Sequence, residues 1–451
     1  MNERNVKMKK KLVYFLVSLM TVLALPMIVF AEDAAAVDTG DTAFIFASAA
    51  LVFIMTPGLA LFYGGMVRKK NVLGTMMHSF AIIGIISVQW VLIGYTIAFG
   101  PDAFGGLFGS FDYALFNGVG GDAFGTIPHE LFAVFQMMFA IITPALITGA
   151  FAERIKFSVF LIFTVAWATL IYDPLAHWVW GPGGWLGGLG ALDFAGGTVV
   201  HISSGISALV AALVIGKRKG HGKVAMTPHN IPFVMIGAAL LWFGWFGFNG
   251  GSALAANGLA ISAFATTNTA AATAALSWMI VEWIHRGKPT MLGAATGAVV
   301  GLVAITPAAG FVGIFASLVI GLLVSPICYF FISFVKAKLG YDDALDVFGC
   351  HGIGGIWGAI ATGLFADPAI NSYAQHNGLF LGGGWTQVGI QLVAVLATVV
   401  FAAVGTFVIL KVISIFTSLR VTEKEENEGL DISQHGEDAY PDFSGSETIS
   451  L

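Results

Sequence analysis

The sequence predicts an all-α polytopic membrane protein of eleven transmembrane helices. It is built as an inverted repeat of five plus five, with a C-terminal eleventh helix. Three observations carry this reading. Of 451 residues, 57% are hydrophobic and only 10% charged, against about 25% charged in a soluble domain. Apolar runs of roughly 20 residues, each long enough to cross a bilayer as a helix, recur along the whole chain. The basic residues fall in clusters, and the stretches between clusters hold no Lys or Arg.

The N-terminus joins a basic RNVKMKKK to an apolar LVYFLVSLMTVLALPMIVF, and Val29-Phe30-Ala31 resembles a small-x-small cleavage site. Residues 1–31 are therefore expected to be a signal peptide, with an uncleaved anchor as the alternative. Residues 32–420 form the expected transmembrane domain. One helix precedes the cluster Arg68-Lys69-Lys70. Further clusters follow at Arg154 and Lys156, at Lys217-Arg218-Lys219 with Lys223, at Arg286 and Lys288, at Lys336 and Lys338, and at Lys411, Arg420 and Lys424. Each interval leaves room for two crossings, so the turn inside it lies on the other side. Basic loops face the cytoplasm, which puts the mature N-terminus outside and the C-terminus inside. The expected spans are 42–66, 74–99, 128–150, 157–178, 196–216, 230–249, 260–284, 291–306, 311–335, 345–365 and 386–415.

The 57 glycines fit helices that pack closely in lipid through small residues. Cys328 and Cys350 lie in apolar helices and imply neither a disulfide framework nor a zinc site. The net charge of −5 says little about partners, because the charges sit in loops and tails. Residues 421–451 form a polar, acidic, C-terminal tail on the cytoplasmic side. It has too little apolar surface for a core of its own, so it is either disordered or docked.

Ionisable residues inside a membrane mark a pathway by default. Asp193 opens the fifth helix, and His201 lies about 12 Å deeper at 1.5 Å per residue. Asp346 opens the tenth helix and His351 follows it. His78, in the second helix, reads as structural. Helices five and ten run in opposite directions and each carries a histidine, the inverted-repeat layout in which a site forms between the repeats. Neutral imidazoles offer one donor and one acceptor, so two in contact can share or pass a proton. A metal normally needs three or four protein ligands, and no further His, Cys or carboxylate is placed to complete a set. Asp193 precedes Gly196, Gly197 and Thr198 at a helix start, where a carboxylate accepts backbone N–H bonds. It is read first as a structural acid and second as a direct cation ligand.

Six segments stand in order: PGLALFYGGMVRKKNVL (57–73), FQMMFAIITPALITGAFAERIKF (135–157), DFAGGTVVHISSG (193–205), GWFGFNGGSA (244–253), DVFGCHGIGGIWG (346–358) and GLDISQHGEDAY (429–440). Together they resemble the ammonium transporter (Amt/Rh) family, on its bacterial Amt branch. The resemblance implies an outer cation site of Phe135, Phe139, Trp180 and Ser252, with Asp193 beside it. It implies a gate of Phe139 and Phe248, and a pore holding His201, His351, Thr306 and Trp245. The stretch between Trp180 and Asp193 is about one residue longer than the family pattern, which leaves the loop around Trp180 open. The resemblance also implies ammonium or ammonia as substrate with methylammonium as analogue, a homotrimer in the plasma membrane, contact with membrane lipid, and a PII-type signal protein at a regulatory cytoplasmic tail. It implies no cofactor, no metal and no nucleic acid.

An aromatic face attracts a small cation, and a bare cation in hydrocarbon costs far more than neutral ammonia. Deprotonation ahead of the narrow part is the expectation that follows, with ammonia moving with or without a coupled proton. Two other readings share the fold. A sensor would be expected to carry an added cytoplasmic domain or a substituted pore, yet both histidines are present and the tail is short. An Rh-type neutral-gas channel would be expected to lack Trp180 and Ser252. An enzyme is disfavoured, because the sequence holds no nucleophile with a base, no metal-ligand set and no nucleotide loop.

Overall fold

The computed structural model describes residues 36–441. The expected signal segment 1–31 and the last ten residues, 442–451, lie outside the described residues. Among the described residues, ten helices are long and apolar enough to cross a membrane. They are α1 (Thr39–Met66), α2 (Lys69–Phe99), α3 (His129–Phe151), α4 (Phe157–Gly188), α5 (Gly197–Ile215), α6 (Ile231–Ala253), α7 (Gly258–Arg286), α9 (Ile314–Leu339), α10 (Phe348–Phe365) and α11 (Thr386–Phe416). The apolar α8 (Met291–Ile305) is shorter, at 15 residues. It ends against Pro307, which has no N–H to continue the ladder, and the chain then turns so that the Pro307 carbonyl accepts the Phe194 N–H at 3.1 Å.

α3 and α5 are the most enclosed of these helices, and α9 and α11 are among the least. Large apolar side chains such as Phe80, Phe315 and Phe416 stand exposed on the outside of the bundle, as a lipid-facing surface requires.

The basic loops come together on one face. Arg68 Nη2 meets Glu153 Oε2 at 2.7 Å, Arg218 Nη1 meets the same oxygen at 3.1 Å, and Arg218 Nη2 meets Asp342 Oδ1 at 2.8 Å. These pairs tie the α1–α2, α3–α4, α5–α6 and α9–α10 loops together. Burial acts to raise the Asp342 carboxyl, but the hydrogen bonds and charge of Arg218 outweigh it and hold Asp342 below the usual carboxylate range.

The tail is packed on this face as far as residue 441. After the β-bridge of Arg420 to Ile155, α12 (Glu423–Glu428) starts with a capping box between Thr422 and Glu425. Glu426 accepts the Lys219 N–H at 2.6 Å and pairs with Arg420 at 2.7 Å. The second helix lacks a side-chain cap of its own at Asn71. Asp431 Oδ1 accepts the Gly74 N–H at 2.8 Å instead, while Asn71 Oδ1 accepts the Leu430 N–H at 2.8 Å. A tail with no core of its own is thus ordered by the helix start and the arginines it satisfies.

Candidate functional site

Two helices that run in opposite directions bring His201 and His351 together. A Cβ on Gly205 would overlap the Gly352 backbone, and one on Gly355 would sit 3.0 Å from the Gly197 carbonyl oxygen and 3.2 Å from the His201 Cβ. Glycine at these positions is what lets α5 and α10 approach so closely. Both helices begin in wide π-turns, Gly197–Ile202 and Phe348–Gly352, and each turn carries its histidine. Turns of this kind concentrate at functional sites. The two Nδ1 atoms stand 3.3 Å apart and the rings 5.3 Å apart at 25°. In a neutral pair one Nδ1 carries the hydrogen and donates, and the other accepts. Among the described residues His201 Nε2 has no hydrogen-bond partner.

Buried carboxylates hold both helix starts. Asp193 Oδ1 accepts the Gly196 and Gly197 N–H groups at 2.8 and 2.7 Å, and Oδ2 accepts those of Thr198 and Val199 at 2.7 and 3.1 Å. On α10 the matching residue is Asp343 rather than Asp346. Asp343 Oδ2 accepts the Phe348 N–H at 2.8 Å and bonds the Val347 N–H as well. Burial pushes its carboxyl up to about 6, against the pull of Lys336. Asp346 instead takes φ 60° and pairs with Lys336 Nζ at 2.6 Å. The spacing from Asp343 to His351 equals that from Asp193 to His201, a signal the sequence carried.

Three cavities lie in line with the histidines. The first, about 360 Å³, is lined by Phe139, Trp180, Ser252, Asp193 and Gln136 among others. The second is narrow, about 10 Å³, and is lined by Phe248, Trp245, His201 and His351. The third, about 60 Å³, is bounded by His351, Cys350 and Asp346. Leu292, Thr296 and Asp346 continue from it into a wider mouth of about 470 Å³, which also holds Arg286. Between the first and second cavities the Phe139 and Phe248 rings stand 4.3 Å apart at 40°.

Each wall residue has a positioning contact. Trp180 Nε1 donates to the Asp193 carbonyl at 2.8 Å, and its ring meets Phe139 edge-on at 6.2 Å. Ser252 Oγ donates to the Phe248 carbonyl at 2.8 Å, so its lone pairs stay available as acceptors. Trp245 stacks on His201 at 5.4 Å and 23°.

Two expected site residues stand behind the path. Phe135 is fully buried, meets Phe139 edge-on at 5.1 Å and is absent from the cavity wall, where its neighbour Gln136 appears instead. Thr306 Oγ1 accepts the Trp245 Nε1–H at 2.9 Å and donates to the Leu302 carbonyl at 2.7 Å. Thr306 therefore reaches the cavity wall only through its hydrogen bond with Trp245. His78 lies off all three cavities, packed among Phe151, Phe157 and Phe160. Gln136 and Cys350 were not anticipated, and no spacing in the sequence distinguishes them. Among the described residues no group of three or more His, Cys, Asp or Glu is placed to hold a metal ion.

The arrangement is a water-accessible bowl, an aromatic constriction, a tight lumen with paired imidazoles, and a polar exit. Known proteins share the sequence pattern and the fold that build it. The sequence model of the Ammonium Transporter Family matches residues 43–440. An ammonium transporter of Bacillus subtilis (strain 168) is 58% identical over 406 residues, which cover 89% of this chain and 99% of the relative. The crystal structure of Saccharomyces cerevisiae Mep2 superposes with a TM-score of 0.81 at 36% identity, covering 86% of this chain and 89% of that one. A structure described as a sensor Amt protein superposes at 0.82 with 30% identity, covering 88% and 98%. With a family match over nearly the whole transmembrane region and this degree of identity, the chain belongs to the ammonium transporter family.

Proposed function

We propose that this multi-pass ammonium transporter recruits ammonium in the Trp180–Ser252 bowl, where the ion gives a proton to water, and passes ammonia between Phe139 and Phe248 to the histidine pair. The observation that carries the reading is the file of cavities, narrowing from about 360 Å³ to about 10 Å³ where His201 and His351 line the wall. A lumen that small excludes a hydrated ion, and a bare cation in apolar surroundings costs many kcal/mol. Ammonia crosses at far lower cost. The paired imidazoles supply a donor and an acceptor to it, or a route for the proton it leaves behind.

The same reading places the basic face in the cytoplasm and the bowl outside, in the plasma membrane, with α8 counted as an eleventh crossing. The matched Asp193–His201 and Asp343–His351 pairs on α5 and α10 support the five-plus-five inverted repeat. A homotrimer and a PII-type signal protein docking near the tail complete the proposal, and both rest on family membership. A second reading, ammonium sensing, is favoured by the likeness to the sensor Amt protein.

The test is a solid-supported-membrane recording on proteoliposomes, comparing wild type with His201→Ala combined with His351→Ala after an ammonium jump. A saturable current that is lost in the double variant, or less selective over potassium, supports proton-coupled passage through the pair. Wild type without current, but with ammonia influx seen by an internal pH dye, replaces it with neutral-gas conduction. Silence in both assays with ammonium still bound selects the sensor.

A further inference from the structure

The bowl is far larger than the ion it is proposed to receive. Its 360 Å³ compares with about 10–15 Å³ for a single water on the same measure, and falls at the lower end of small-molecule pockets. Eight of the seventeen residues around it are aromatic. On one side Phe124 and Phe132 stack at 4.1 Å. On the other, Phe194 meets Phe311 edge-on at 5.7 Å, and Tyr373 lies beyond Phe311 at 6.4 Å. The single charged residue in that lining is Asp193, and its two oxygens are already taken by four backbone N–H groups.

A wall of aromatic faces without a free carboxylate favours cations that shed water easily and carry apolar surface. Small metal ions that hold their water tightly lose more on entering than the rings return, whereas ammonium can also donate an N–H to Ser252. Aromatic cages of this composition suit quaternary ammonium groups. We infer that the bowl is a binding site for small quaternary ammonium ions of tetramethylammonium or choline size, which lodge there and block the path. Phe139 and Phe248, 4.3 Å apart, and the 10 Å³ lumen beneath them bar further passage. The methyl groups meet Phe124, Phe132 and Trp180, while Tyr373 closes the rim. This inference extends the proposed outer site to a ligand that has no proton to lose.

The experiment pairs transport with direct binding. Ammonium currents are recorded with increasing tetramethylammonium, and tetramethylammonium binding to the purified full chain in detergent is measured by titration calorimetry. The expected result is a raised half-saturation for ammonium at unchanged maximal current, no current from tetramethylammonium alone, and a saturable binding isotherm. Tyr373→Leu, at an exposed rim position, weakens that binding by about two- to fivefold, the worth of one exposed cation–π contact. Normal ammonium currents untouched by tetramethylammonium, or no binding isotherm, overturn the inference. A tetramethylammonium current overturns it too. Absent ammonium current with tetramethylammonium still bound defeats the transport reading alone and leaves this site standing.

Discussion

Replacing Asp193 by asparagine separates the two jobs a carboxylate could do at the mouth of the path. Asn keeps one acceptor oxygen in the place of Oδ1, facing Gly196 and Gly197. It puts an NH2 in the place of Oδ2, facing the N–H groups of Thr198 and Val199, which wild type holds at 2.7 and 3.1 Å. Two charge-assisted bonds are lost, each worth about 1.5–3 kcal/mol. The expected destabilisation is about 3–6 kcal/mol, at the upper end for one substitution. The damage falls on the π-turn that carries His201 and on the carbonyl that holds Trp180. The assay is denaturation of the detergent-solubilised protein alongside ammonium currents from the same preparation. The structural account expects unfolding at clearly milder conditions, with current lost in proportion to folded protein. Unchanged stability with abolished current would refute it and assign the charge to the cation itself. Unchanged stability and current together would refute the helix anchoring altogether.

Thr306→Val removes the acceptor of the buried Trp245 indole N–H, at a cost of about 1–3 kcal/mol; currents should fall while Thr306→Ser retains them, read on the same electrode. Phe248→Ala opens the constriction beside Phe139 and costs about 3–5 kcal/mol of packing; stopped-flow methylammonium uptake should gain speed and lose selectivity, and an unchanged profile would deny the gate. For Asp342, whose carboxyl is held low by Arg218, the unfolded chain binds the proton more readily. Its stabilisation is present above about pH 4 and drains away as pH falls. Thermal stability should therefore fall on acidification, with a shallower slope in Asp342→Asn. Glu426→Ala breaks the contacts to Arg420 and the Lys219 N–H, and limited proteolysis should then cut the tail faster than in wild type.

The membrane class and most helix boundaries to within a few residues were legible in the sequence, although the fourth span, expected at 157–178, runs on to Gly188. Each follows from a local rule: twenty apolar residues span a bilayer, and charge stays out of it. The two histidines that meet between α5 and α10 were legible because a titratable group is conspicuous in an apolar run. Asp193 was readable as an acid at a helix start, since the glycines that supply its N–H partners follow directly. Asp343 has the same spacing to its histidine, but Asp346 stands nearer the helix in the sequence; its positive φ and the 2.6 Å contact with Lys336 show that it turns away from the helix start. Whether Phe135 or Gln136 faces the bowl depends on the rotation of α3 against its neighbours, and one residue on a helix changes the direction by about 100°. The role of Thr306 required α6 and α8 to be adjacent, and the order in the tail required Asn71 and Gly74 to be within reach. Composition and period determined what crosses the membrane. Which side chains meet inside it was decided by the close approach of α5 and α10, a contact between residues 150 positions apart.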